Sequence, residues 1–187
     1  CNDGFCAAWL AHRRWQNAKY IPAQYGDEVP DVKGCSVMIV DFSYKRSILE
    51  QMNVEAKQLL VLDHHKTAEA ELQGLPYCTF DMGKSGARLL SEYLQCETPW
   101  LVRYTEDRDL WKWDLPDSRE VNAALSSYPR EFAQWELLSD QGTTPMIAEG
   151  RAILRYQKQV VDNLCKGAYE YEIAGHKVPV VNTPILQ

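Results

Sequence analysis

At 187 residues, with 45% hydrophobic, 11% aromatic and 25% charged side chains, the chain carries enough apolar material for a core, which excludes disorder, collagen and coiled-coil arrays. No apolar run approaches the ~18 to 20 residues that cross a bilayer, because MIVDF and LLVLD are each broken by an acid. A net charge of −6, from 26 acids against 20 bases, argues against a broad basic face that coats duplex nucleic acid. Any phosphate would be handled locally.

In chain order, Phe5, Ala8, Trp9 and Trp15 recur at helical spacing behind Asp3 and Gly4, predicting a helix over 3–18 entered from an acidic turn. Next, GCSVMIVDF (34–42) is a short, almost wholly apolar run closing on an acid. QLLVLDHH (58–65) repeats the pattern after a helix-like SILEQM segment. Continuous apolar strands separated by helices imply a parallel sheet covered on both faces, hence an α/β fold. A loop followed by a helix is predicted over 83–95, and helices over 98–111, in PDSREVNAAL and PREFAQWELL, each with proline near its start, and from about 145 to 166. YEYEIAGHKVPVVNT then alternates like a β-hairpin around Ala174–Gly175. Cys1 is preceded by neither an initiator Met nor a signal-type segment, and VPVVNTPILQ stops just after a β-type run, so further chain is expected beyond both ends.

The six cysteines (Cys1, Cys6, Cys35, Cys78, Cys96, Cys165) show no CxxC spacing in a chain too large to need disulfide staples. They are expected to be reduced and mostly buried, which points to the cytoplasm.

Candidate chemistry gathers at strand ends. Asp3 precedes the first helix, while Asp41 and Asp63 close successive apolar strands. His64 and His65 follow, so half of the chain's four histidines stand at one edge. In an open parallel sheet, residues just past the carboxyl ends of the strands share the ligand-binding crevice. Carboxylate plus imidazole suits Mn²⁺ or Mg²⁺ better than a structural zinc. The plainer alternative is that each acid is a turn former or helix cap.

Other residues admit two readings. Lys84, Ser85, Gly86 and Arg88 lead into a helix whose start would cradle phosphate, or they are solvated loop and helix residues. Arg108 would pair with a substrate phosphate or with Asp109. Trp111 and Trp113 would stack a base or pack as a lid. His12 and His176 read as surface residues.

CNDGFCAAWLA (1–11), VDFS (40–43), LDHHKTA (62–68) and EDRDLWKW (106–113) together resemble the four ordered motifs of the DHH phosphoesterase superfamily, across roughly the first 115 residues. That superfamily includes RecJ-type exonucleases, nanoRNases, family II pyrophosphatases and exopolyphosphatases. The resemblance implies two divalent ions, usually Mn²⁺ with Mg²⁺ as the other candidate, that activate a water for in-line attack on phosphorus. It implies Asp3, Asp41, His64 and Asp107 as metal ligands, with Asp41 bridging. It further implies that His65 contacts the scissile phosphate and that Asp63 orients the histidine pair. Asp109 would be a substitute ligand or a helix-end acid.

Two departures accompany the resemblance. Cys1 stands where the family's first acid would align, and no glycine-rich GGGH-type loop occurs by Gln187. The expected organisation is a DHH-type domain over 1–130, a helical connector over 131–167 and, over 168–187, the start of a smaller α/β C-terminal domain. The expected activity is hydrolysis of phosphodiester bonds in short single-stranded oligonucleotides. The alternatives are a phosphoanhydride hydrolase acting on pyrophosphate or polyphosphate, and a non-catalytic module that binds a metal or nucleotide. No membrane partner is expected, and an oligomer is compatible with this reading.

Overall fold

The computed structural model describes residues 1–183. Helix α1 (Asn2–Arg14) leads into strand β1 (Ser36–Val40), α2 (Arg46–Glu55), β2 (Gln58–Asp63), α3 (Lys66–Leu72) and β3 (Cys78–Phe80). Five helices follow: α4 (Gly86–Tyr93), α5 (Trp100–Asp109), α6 (Ser118–Ser127), α7 (Phe132–Gln141) and α8 (Thr143–Cys165). A hairpin of β4 (Tyr169–Ile173) and β5 (His176–Val180) closes the described chain. The fold is mixed α/β, as expected.

The three strands β1, β2 and β3 pair in parallel and in sequence order. Side chains alternate across such strands, and the two core clusters follow that alternation. Met38, Val40, Leu60 and Leu62 face a large core built with Trp9, Leu90, Leu101, Leu125 and Trp135. Val37, Ile39, Leu59 and Val61 face a smaller one with Leu49, Met52 and Leu72, from α2 and α3. Burial on both faces explains why β1 and β2 read as unbroken apolar runs.

The structure redraws two expectations, the extent of the first helix and the burial of the cysteines. Helix α1 stops at Arg14, where His12, Arg13 and Arg14 fill its last turn and favour the negative end of the helix dipole. The large core also takes side chains from beyond residue 130: Trp135 and Leu138 of α7 and Met146 of α8 are buried in it. Gly150 carries α8 against α6 so closely that a Cβ there would lie 1.8 Å from the Glu120 carbonyl oxygen. Finally, the cysteines are free as expected but not mostly buried: Cys6 is buried and Cys78 half-buried, while Cys1, Cys35, Cys96 and Cys165 are exposed.

Beyond Gly150, α8 and the hairpin lie largely in solvent. The turn sits at the predicted Ala174–Gly175, both with positive φ (50° and 80°), the backbone that tight two-residue hairpins require. Residues 184–187 of the expected C-terminal domain fall outside the described residues. No helix among the described residues is long and apolar enough to cross a membrane.

Candidate metal centre

Four elements deliver side chains to one point past the carboxyl ends of β1 and β2. Asp41 follows β1 in a left-handed conformation (φ 59°), uncommon for a residue with a Cβ but tolerated by Asp. Its N–H still donates to the Leu62 carbonyl at 3.0 Å, so the turn begins directly off the ladder. Two glycines make room for it. A Cβ on Gly4 of α1 would sit 3.0 Å from Asp41 Oδ2, and one on Gly86 of α4 would fall 2.5 Å from Asp41 Cβ.

His64, just past β2, is the hub. Its Nε2 lies 3.1 Å from Asp41 Oδ1, 3.4 Å from Asp109 Oδ2 and 3.9 Å from Asp3 Oδ2. On the far side of the same carboxylate, Cys1 Sγ donates to Asp41 Oδ2 at 2.8 Å. Asp3 is held from α4, with Gly86 N–H donating to Oδ2 at 2.6 Å and Ala87 N–H to Oδ1 at 3.2 Å. A carboxylate therefore fills the positive end of α4.

Asp63 serves a different purpose. Fully buried, it accepts the Ser43 hydroxyl on Oδ2 at 2.5 Å and the His64 N–H on Oδ1 at 2.8 Å. His65 Nδ1 meets Oδ1 at 2.7 Å, which fixes the tautomer as Nδ1–H and leaves Nε2 as the free end of a half-exposed ring.

The electrostatics follow from crowding acids out of water. Asp3 is pushed up from 3.8 to about 7, by burial first and then by the Asp41 and Asp109 carboxylates, against hydrogen bonds from Ser85 and Ala87. Burial also raises Asp109. His64 is lifted from 6.5 to about 9, foremost by its hydrogen bond to Asp41, with burial opposing. Such a cluster holds protons unless a cation replaces them. Two groups have ligand atoms mutually close enough to hold a metal ion, Asp3–His64–Asp109 and Asp41–Asp63–His64–His65.

Not every candidate arrives there. Asp107 turns away: its carboxylate accepts the N–H groups of Asp114 at 2.9 Å and Leu115 at 3.4 Å, organising the loop after α5. Asp109 stands beside His64 in its place. Two residues apart on a helix means nearly opposite faces, so only one of the pair can face the cluster.

The suggested phosphate cradle is otherwise engaged. Lys84 pairs with Asp81 and Glu92, Arg88 with Glu92 and Thr98, and Ser85 caps α4 through the Arg88 N–H. Arg108 reaches Ser126 at 3.3 Å, and no ion pair with Asp109 is found among the described residues. Trp113 lies under the Arg119 guanidinium and against Trp111, which is 73% exposed. His176 is exposed as expected, whereas His12 is half-buried and stacks on Phe132. Sequence reasoning missed Ser43, Gly4 and Gly86 as parts of the site. The SGA step before α4 was the one available signal for a close approach there.

No family model matches the chain, and no solved structure matches it. The chain is 28% identical, over 97% of its length, to an uncharacterized protein of Acanthamoeba polyphaga mimivirus. It spans 48% of that relative, about half its length.

Proposed function

We propose that the chain is a divalent-metal-dependent phosphohydrolase of the DHH type that cleaves phosphodiester bonds in short oligonucleotides. The observation that carries the reading is the meeting of Asp3, Asp41 and Asp109 around His64 Nε2 at the carboxyl edge of a parallel sheet. The ordered resemblance of the four motifs supports it. The donor set fits the group: one imidazole nitrogen and three carboxylates, two of them holding protons more tightly than an isolated carboxyl, foremost because burial penalises their charge.

Bound there, a divalent ion supplies Lewis acidity and a nucleophile from water near neutral pH. The protein's own part is positional. Asp41, braced by Gly4 and Gly86, presents one oxygen to the His64 side and the other to Cys1. Asp63, pinned by Ser43, holds the His65 ring by Nδ1–H with Nε2 outward, where only the protonated ring could donate to a phosphoryl oxygen. Because Asp63 already accepts three hydrogen bonds, an ion between Asp63 and His65 would have to displace one. One firmly held ion is therefore expected.

Short substrates suit a chain with net charge −6, which disfavours long polyanions. The test is hydrolysis, with Mn²⁺, Mg²⁺ or zinc and then with chelator, of a dinucleotide, a pentaribonucleotide, pyrophosphate and polyphosphate, beside an Asp41→Ala control. Metal-dependent cleavage of the oligonucleotides alone is expected. Cleavage confined to pyrophosphate or polyphosphate would move the chain to phosphoanhydride chemistry. Binding without any turnover would make it a non-catalytic module.

A further inference from the structure

We propose that Tyr25, backed by Phe42, is the stacking platform for the nucleobase beside the phosphate under attack, and that it selects nucleotide diesters over inorganic phosphoanhydrides. This rests on the phosphohydrolase reading above. Phe42 follows Asp41 directly, so the backbone that presents the shared carboxylate also presents this ring. Tyr25 lies against Phe42 with ring centroids 4.9 Å apart and planes tilted by 44°. Tyr44 meets Phe42 at 4.9 Å and 86°. Phe42 and Tyr44 are half-buried, while Tyr25 is 74% exposed. The Tyr25 ring is thus packed on one side and open to water on the rest.

The segment that carries Tyr25 is pinned on both sides of the ring. Gln24 N–H donates to Asp27 Oδ2 at 3.0 Å and Asp27 N–H to the Gln24 carbonyl at 3.2 Å, across a turn in which Gly26 takes φ 97°. The charges of the site reach this ring: after partial burial, the Asp63, Glu71 and Asp41 carboxylates hold its phenol above the ordinary pKa. Asp63 is the residue that grips His65, so Tyr25 stands on the side where the His65 Nε2 is free. A lone exposed tyrosine is ordinary surface. One stacked on the neighbour of the shared carboxylate offers a π-face beside a phosphate site, the pairing by which single strands are bound without reading their sequence. The competing platform is Trp111, 73% exposed, which follows Asp109 and packs against Trp113.

The test compares wild type, Tyr25→Phe, Tyr25→Ala and Trp111→Ala in Mn²⁺-dependent cleavage of a dinucleotide and of the same diester with hydrogen in place of each base. Circular-dichroism melts verify folding. In Tyr25→Ala the KM for the dinucleotide should rise about tenfold with kcat nearly unchanged, while Tyr25→Phe, which keeps the ring, should match wild type. The base-free diester should be cleaved alike by wild type and both Tyr25 variants. An unchanged KM in Tyr25→Ala, an equal loss on both diesters, a Tyr25→Phe that behaves as Tyr25→Ala, or a KM rise in Trp111→Ala alone would overturn this inference and leave the hydrolase reading standing. If the wild type cleaves neither diester, the hydrolase reading falls, and calorimetric titration of the same pair with Mn²⁺ decides the stacking. Dinucleotide binding about tenfold weaker in Tyr25→Ala then supports it, and equal or absent binding overturns it.

Discussion

Two regions depart from the rule that charge faces water and apolar surface faces inward. At the carboxyl edge of the sheet, Asp3, Asp63 and Asp107 are buried. At the other end of the chain, Tyr169, Tyr171 and Ile173 on β4 stand in solvent, as do Tyr156 and Val161 on α8. The departures differ in cost. An exposed tyrosine loses a stabilisation it could have had, whereas a buried carboxylate must be compensated by hydrogen bonds or by a counter-charge. Asp63 and Asp107 are compensated by donors from the chain. Asp3 also accepts two backbone N–H groups, but with Asp41 and Asp109 it crowds a single imidazole, and that contrast marks a place where side chains are close enough to hold a cation.

Removing the shared carboxylate should produce the largest difference. Asp41→Ala is expected to weaken cation binding at least about a hundredfold, roughly 3 kcal/mol, in calorimetric titration. Gly86→Ala tests the steric half of the account. A Cβ there meets Asp41 backbone as well as side chain, and urea unfolding should show a loss of about 2 kcal/mol.

The pH dependence has a definite sign. His64 titrates near 9 in the fold against 6.5, so its contribution is fully present below about 6.5 and disappears as pH rises through about 9. Asp3, raised to about 7, is favoured neutral, and it costs stability as pH rises from about 4 to 7. The ion-free chain should therefore lose stability with rising pH across that span. Because a cation takes the place of these protons, its affinity should rise by about tenfold per pH unit for each proton displaced, and thermal shifts at pH 5, 7 and 9 would follow it.

Two neighbouring acids separate binding from scaffolding. Asp109→Asn should lower cation affinity about tenfold, while Asp107→Asn should leave affinity unchanged and cost about 1 kcal/mol through its loop hydrogen bonds. At the exposed end, Tyr171→Ser should alter stability by less than about 0.5 kcal/mol in the same unfolding assay.

What the sequence disclosed follows period and length. Strands β1 and β2 were legible because burial on both faces makes them continuously apolar. Helix α8 was legible from its long amphipathic stretch, and the hairpin from alternation around Ala174–Gly175. Helix α3, seven residues long, and β3, three residues long, are too short to display a period.

Within the site, Asp41 and His64 were legible because each stands at the end of an apolar strand. Asp109 was legible only as a substitute for Asp107, because motif order favours Asp107 and only the rotation of α5 about its axis decides between them. The contact of Cys1 with Asp41, 40 residues away, depends on close packing permitted by Gly4 and Gly86. The exposed cysteines misled for a similar reason: composition counts them as apolar, while their places at turns and helix ends leave them in water.

The most direct measurement is an anomalous-difference map from crystals soaked in Mn²⁺ and, separately, in zinc. The account predicts one strong peak about 2 Å from His64 Nε2 and from carboxylate oxygens of Asp3, Asp41 and Asp109. A map with no peak among these side chains, or a peak on Asp107 instead, would contradict it.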